Sequence, residues 1–266
     1  MEWRIEVPSA GRAETLADKT LPFLRRAGVE DRDVRVWVPE GERDAYFLAA
    51  PGVDLVPLDY VPSTGEDLDA GPYAVGIARN AIADAALPGD LVVEVDDDVE
   101  GLVEWAGQKD SINARLRDVD GPGFLRIVER GFALAEDAGA YIWGVHPAAT
   151  YCRDRVRIDL SYIGAALFGQ RIRGEPDVER VRLDDKEDFE RSLRFYERDG
   201  RLLRLDGVSW RTRGYGGAGG MQSTRTAGRI DASARWCAER WPQWAALKYP
   251  KSGKTELRLA DRRRAS

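Results

Sequence analysis

Through residues 1–145, short apolar runs alternate with longer stretches in which apolar positions recur every three or four residues. Short runs bounded by turn residues read as buried strands and the longer periodic stretches as amphipathic helices, so the alternation predicts βαβ units on a mostly parallel sheet. The predicted strands are Arg4–Val7, Asp33–Val38 (stopped by Pro39), Val53–Leu58, Leu91–Val95 and Tyr141–Val145. Between them, Glu14–Arg26 (closed by Gly28), Glu42–Ala49, Ala74–Ala86 and Phe124–Ala138 are the predicted helices. Val61–Pro72, rich in Pro, Gly, Ser and acids, reads as a surface loop.

Beyond residue 145 the pattern loosens. Val156–Phe168 alternates well enough for one or two strands, Asp185–Arg198 reads as a helix that starts on acids, and Leu202–Trp210 as a strand. Ile230–Trp244 is a Trp-rich amphipathic helix. The expectation is a single α/β domain over residues 1–247, with a mostly parallel central sheet flanked by helices and a mixed C-terminal part, followed by a basic tail over residues 248–266. No internal repeat or linker divides it.

Composition fits that picture. With 43% apolar residues and eight Trp in 266, the chain can bury a sizeable core. No apolar stretch approaches the ~20 residues that span a bilayer, and no basic-then-apolar leader opens the chain, so a soluble cytoplasmic protein is expected. Cys152 and Cys237 are too few for a disulfide framework or a cysteine-rich zinc site.

The net charge of -6 hides an asymmetry. Residues 1–110 carry 24 acids against 10 Lys and Arg, whereas residues 111–266 carry 22 against 30. Arg211, Arg213, Arg225, Arg229 and Arg235 precede the basic tail, where a polyanion could dock; a solvated tail is the alternative.

Candidate chemistry sits at strand ends, where ligands of open α/β sheets bind. The run Leu91–Val95 ends in Asp96, Asp97 and Asp98. Alternation puts Asp96 and Asp98 on one side, where they can share a hard cation such as Mg²⁺ or Mn²⁺ with substrate phosphates. A solvated acidic turn is the alternative.

Strand one ends in Pro8-Ser9-Ala10-Gly11-Arg12, which offers backbone amides and a guanidinium to a phosphate, or a helix cap and a surface charge. Arg79 lies just before the acidic strand and can contact a diphosphate or pair with an acid. Glu187 and Asp188 open a helix, where they complement its dipole or supply a general base. His146, the one histidine, follows a strand as a third metal ligand or a structural residue. Gly214–Gly220, five glycines in seven residues between Arg211, Arg213 and Arg225, can approach an anion closely. No dinucleotide-type G-x-G-x-x-G or Walker A pattern is present.

In order along the chain, Ile5-Glu6-Val7-Pro8-Ser9-Ala10-Gly11-Arg12, Gly76-Ile77-Ala78-Arg79-Asn80-Ala81-Ile82 and Val95-Asp96-Asp97-Asp98-Val99 resemble motifs of the TET/JBP-associated glycosyltransferase family. That family has the GT-A fold, is found largely in phages, and includes the base J glucosyltransferase and enzymes thought to glycosylate 5-hydroxymethylpyrimidines in DNA. The resemblance implies a metal-dependent, inverting transferase that takes a UDP-sugar as donor and DNA containing 5-hydroxymethylcytosine or 5-hydroxymethyluracil as acceptor. Phage origin would place it in the host bacterial cytoplasm.

Carried over residue by residue, Pro8, Ser9, Gly11 and Arg12 would line the nucleoside pocket, and Arg79, Arg211 and Arg213 would support the donor phosphates. Asp96, Asp97 and Asp98 would form the DxD element, with Asp98 on the Mn²⁺ or Mg²⁺ and Asp96 on the donor sugar, the ribose or the metal. Glu187 and Asp188 would be the acidic pair, with Asp188 the base. Trp210, Tyr215 or Trp244 could stack on a base, whereas Trp236 and Trp244 read more simply as core. Two other functions fit the same residues: a GT-A transferase with a saccharide, lipid or protein acceptor, and a nucleotide-sugar or DNA-binding module without turnover.

Overall fold

A computed structural model describes residues 2–60, 68, 75–107, 116–212, 226–249 and 255–261. Its strands are β1 (Arg4–Pro8), β2 (Val34–Pro39), β3 (Asp54–Leu58), β4 (Leu91–Val95), β5 (Gly101–Trp105), β6 (Leu116–Asp118), β7 (Ile142–His146), β8 (Val156–Ile158), β9 (Leu167–Arg171), β10 (Leu203–Arg211), β11 (Ala245–Lys248) and β12 (Glu256–Leu259). The helices are α1 (Ala13–Thr15), α2 (Leu21–Arg26), α3 (Arg43–Ala49), α4 (Val75–Asp84), α5 (Gly121–Ala138), α6 (Pro176–Glu179), α7 (Glu187–Asp199) and α8 (Ala227–Arg240).

The main sheet runs in the order β3-β2-β1-β4-β9-β7-β10-β5-β6, with β8 added to β10. Its first half, β3-β2-β1-β4, is parallel, in the register Ile5↔Val34 and Ile5↔Val93. Ile5, Val7, Val36 and Val93 are buried there, which accounts for the near-continuous apolar runs of these strands. The second half is mixed. β9 is antiparallel to both β4 and β7, so β4, β7 and β10 still point the same way and their carboxyl ends share one edge with those of β1 to β3.

The predicted helix Glu14–Arg26 is interrupted. Between α1 and α2 lies a π turn, Leu16–Thr20, followed by Pro22, which has no N–H to give the turn before it. The wide turn seats the buried Thr20 under the acidic loop after β4. Its hydroxyl lies 2.9 Å from the Asp96 carbonyl and 3.1 Å from that of Val99.

The stretch read as one or two strands is two, β8 and β9, separated by the loop that carries Tyr162. The predicted helix Ile230–Trp244 begins and ends earlier, as α8, and Trp236 and Trp244 join the core cluster of Trp241, Tyr196 and Cys237. The hairpin β11-β12 crosses the boundary drawn between residues 247 and 248, and buries Leu257. Among the described residues no helix is long and apolar enough to cross a membrane.

Candidate active site

Two strand ends, helix α4 and the start of α7 converge. β1 runs into Ser9, Gly11 and Arg12, and β4 into Asp96–Asp98. Gly11 holds φ +66°, a left-handed turn that suits glycine, and its N–H donates to Glu42 Oε2 at 2.6 Å. The turn brings Ser9 Oγ to 2.6 Å from both Asp97 Oδ2 and the Tyr46 hydroxyl. Arg12 Nη1 donates to Asp97 Oδ1 at 3.1 Å and reaches Asp98 Oδ2 at 3.5 Å.

Alternation along β4 therefore separates the three acids. Asp97 turns inward, is nearly fully buried and braces the β1 turn; burial pushes its carboxyl up to about 6, against the pull of Ser9 and Arg12. Asp96 and Asp98 remain partly exposed. Burial and the neighbouring Asp96 raise the Asp98 carboxyl, while Arg12, Thr212 and Lys19 oppose the rise.

Arg79 is the hub. Projecting from α4, it is 4% exposed and binds three carboxylates: Glu94 Oε2 at 2.7 Å, Asp96 Oδ1 at 2.9 Å and Glu187 Oε1 at 3.1 Å. Glu94 comes from β4 itself and Glu187 from the first turn of α7. One guanidinium thus ties the acidic strand end to the helix that carries Asp188. Burial alone would lower the arginine's affinity for its proton, and the three acids reverse the sign and raise it.

The entry to α7 is a tight turn. Lys186 holds φ 72°, a left-handed conformation that costs a residue with a Cβ, and it delivers Glu187 and Asp188 into the site side by side. Asp188 Oδ1 accepts the Phe189 N–H at 2.9 Å, and Asp188 Oδ2 accepts the partly buried Tyr162 hydroxyl. Tyr162 stacks on Phe189, and its loop is pinned to α7 by the Ile163 N–H on Ser192 Oγ, 3.0 Å. A hydrogen bond to a charged group is worth about 1.5–3 kcal/mol, so Tyr162→Phe is expected to lower turnover about tenfold by loosening Asp188. The same KM for donor with a reduced kcat is the expected pattern, and an unchanged kcat would remove Tyr162 from the site.

Glu187 is pushed up to about 7 by burial and then by Asp188, with Arg79 opposing. Its unfolded-state value is near 4.3, so the folded chain holds this proton more tightly. The stabilisation is complete below pH ~4 and is lost as pH rises through about 7. Thermal melts of wild type and Glu187→Gln should therefore diverge with pH: the wild-type advantage shrinks from pH 5.5 to 8, and a constant or growing advantage would contradict it.

No family model matches the chain, and no curated protein matches it in sequence. Solved structures do match. Residues 1–349 of S. aureus TarS, crystallised with UDP-GlcNAc, align with a TM-score of 0.55 over 90% of this chain and 66% of that one, at 13% identity. A mycobacterial protein aligns with a TM-score of 0.50 over 97% of this chain and 83% of its own, also at 13% identity. The fold is of the GT-A type. At such identity the likeness is one of fold, and this chain spans only 66% of the TarS chain.

On this GT-A sheet the shared carboxyl edge gathers Ser9, Gly11, Arg12, Arg79, Asp96, Asp97, Asp98, Glu187 and Asp188 from the sequence reading, with Pro8 closing β1 beside Trp37. Arg211 borders this edge, its carbonyl accepting the Glu100 N–H at 3.0 Å. Arg211 ends β10 and pairs with Asp118 at 2.8 Å, lining a cleft of about 680 Å³ with Lys19 and Arg26. Arg213, Tyr215, Arg225 and the Gly214–Gly220 loop lie outside the described residues.

His146 ends β7, its Nδ1 against Ala148 and its proton affinity lowered by burial and Arg204; none of its described contacts touches Asp98. Among the described residues no group of three His, Cys, Asp or Glu forms a metal cage. Mg²⁺ or Mn²⁺ needs only one or two carboxylates when substrate phosphates complete the shell, and Asp96 with Asp98 fits that lesser demand.

Several residues escaped the sequence reading: Glu94, Tyr46, Tyr162 and Arg191. Arg191 is buried on α7, its guanidinium 3.8 Å above the Phe168 ring and without a hydrogen-bond partner among the described residues. Burial and then Arg79 lower its proton affinity, while Glu187, Glu94 and Asp188 support it. Glu94 had a signal, an acid inside an apolar strand. Tyr162 had none.

Proposed function

We propose that the chain is a metal-dependent glycosyltransferase that moves a sugar from a UDP-sugar onto the hydroxymethyl group of 5-hydroxymethylcytosine or 5-hydroxymethyluracil in DNA. The observation that carries the reading is the Arg79 hub, which joins the strand-end acids to Glu187 and so to its neighbour Asp188. The DNA acceptor rests on the resemblance of the three motifs around Ser9, Arg79 and Asp96–Asp98.

The chemistry follows from the residues. Ser9, Gly11 and Arg12 line the nucleoside end. Asp98 and Asp96 would hold Mn²⁺ or Mg²⁺ against the diphosphate, where it supplies charge stabilisation for the leaving group. Asp188, oriented by Tyr162 and the Phe189 N–H, takes the proton of the acceptor hydroxyl as its oxygen bonds to the anomeric carbon. The bond from that carbon to the phosphate oxygen breaks on the opposite face, UDP leaves with the electron pair, and the anomeric centre inverts.

The test combines donor and acceptor. The protein is incubated with UDP-sugars, Mn²⁺ and DNA containing each hydroxymethylpyrimidine, and the DNA is digested to nucleosides. A hexose-sized mass gain is expected on the modified nucleoside; its absence across all donors and both bases, with the sugar transferred to a saccharide, lipid or protein acceptor as UDP is released, would replace the acceptor.

A further inference from the structure

The basic residues singled out from the sequence as a polyanion surface are largely engaged elsewhere. Arg211 pairs with Asp118, Arg229 lies 3.7 Å from Asp185, and Arg235 pairs with Asp231 at 2.6 Å. The β8-β10 ladder offers a different basic cluster. Its register sets Arg157 directly opposite Arg204, and the Asp206 N–H donates to the Arg155 carbonyl at 2.9 Å. Side chains alternate along a strand, so Arg155, Arg157, Arg204 and Asp206 share one face.

Like charges directly opposed across a ladder are destabilising. Among the described residues the carboxylate paired with them is Asp206, 1% exposed, which takes Arg155 Nη2 at 2.6 Å and Nε at 2.9 Å, Arg204 Nε at 2.7 Å and Arg157 Nε at 3.5 Å. One buried acid thus holds three guanidiniums, and the Arg155 and Arg157 side chains remain 54% and 36% exposed. Arg157 has no other polar partner among the described residues. Asp154 next door is exposed, and the Arg153 side chain donates to the Cys152 carbonyl at 2.6 Å.

The cluster adjoins the site. Arg204 Nη1 donates to the Tyr162 carbonyl at 3.2 Å, and the hydroxyl of the same tyrosine is on Asp188. Tyr151, 65% exposed, stands on the short turn that packs against β10, an aromatic face open to a base.

We propose that Arg155, Arg157 and Arg204, gathered on Asp206, form the subsite that takes a backbone phosphate of the acceptor strand. The inference rests on the DNA-acceptor reading and deepens it. A guanidinium fork matches phosphate oxygens in pairs, and an anion bridging Arg157 and Arg204 removes the repulsion built into the ladder. A nucleotide whose base substituent reaches Asp188 carries its own phosphate toward this face, with Tyr162 between the two.

Fluorescence anisotropy of a labelled single-stranded oligonucleotide containing 5-hydroxymethylcytosine tests it, titrated from 50 to 200 mM salt as is usual for such contacts. Arg155→Ala/Arg157→Ala is expected to weaken binding about tenfold and to flatten the salt slope by about 0.7, one phosphate on a single strand. Arg157→Gln leaves Arg155 and Arg204 on Asp206, so it keeps the question open to refutation if the double variant fails to fold; it should weaken binding and flatten the slope in the same direction, by less than the double variant.

Unchanged affinity and slope in folded Arg157→Gln, or no oligonucleotide binding by the wild type, overturns the subsite. Sugar transfer on the same samples is scored separately by nucleoside mass. Arginine-dependent binding without transfer would leave the subsite standing and remove the catalytic reading, and transfer with arginine-independent binding would do the reverse.

Discussion

Asp188→Asn is expected to lower sugar transfer by about 10²- to 10⁴-fold, the usual contribution of a positioned general base, while UDP affinity stays within about twofold. The amide keeps the shape: its Oδ1 can still accept the Phe189 N–H, and its Nδ2 can donate to the Tyr162 hydroxyl oxygen in place of the bond accepted from it, so α7 should fold as before. What it cannot do is take a proton. Its neighbour cannot substitute, because Glu187 Oε1 is held by Arg79 and Oε2 accepts the Asp188 N–H at 2.8 Å. Steady-state kinetics beside calorimetric UDP binding separates the two effects: turnover within tenfold of wild type would place the base elsewhere.

Arg79→Ala should have the largest effect on the fold, a loss of about 3–5 kcal/mol, the range for removing one partner of a buried charge network. Glu94 is nearly fully buried and would keep its desolvation without its cation, and Asp96 would lose the contact that sets its direction. The second buried guanidinium, Arg191, makes no hydrogen bond to these acids and lies over Phe168, so it cannot take over the geometry. Arg79→Met preserves most of the volume and should lose nearly as much, which distinguishes lost charge from a cavity. Chemical denaturation measures both variants, and a Met variant near wild-type stability would show that the hub is packing alone.

Much of the fold was legible because parallel, doubly buried strands leave unmistakable apolar runs. β1 to β4, β7 and their intervening helices fall close to the predicted ranges, and period-two alternation alone separates Asp97 from Asp96 and Asp98. The short antiparallel strands were not legible. β5 pairs with β10 and β6 with β5, and no local pattern marks them. The π turn likewise depends on Pro22 and on where Thr20 must sit, which a helical periodicity does not reveal.

The site divides in the same way. Its acids and Arg79 stand at strand ends and helix starts that the pattern locates. Their assembly does not show in sequence, since Arg79 and Glu187 meet across 108 residues and Asp188 meets Tyr162 across a loop between two short strands. The charge asymmetry does not by itself mark the cluster on β8 and β10. Arg211, Arg229 and Arg235 each lie against an acid, and Arg155, Arg157 and Arg204 share Asp206 on a ladder that only the register of β8 and β10 brings together.

The central claim, that the Asp96–Asp98 strand end is a metal-dependent nucleotide-sugar donor site, is tested most directly by calorimetric titration of UDP with Mn²⁺ and with EDTA. Wild type is expected to bind UDP with Mn²⁺ and at least tenfold more weakly with EDTA, and Asp98→Ala to bind weakly under both conditions. Equal UDP affinity with and without metal, or an Asp98→Ala variant that keeps the metal dependence of the wild type, would contradict it.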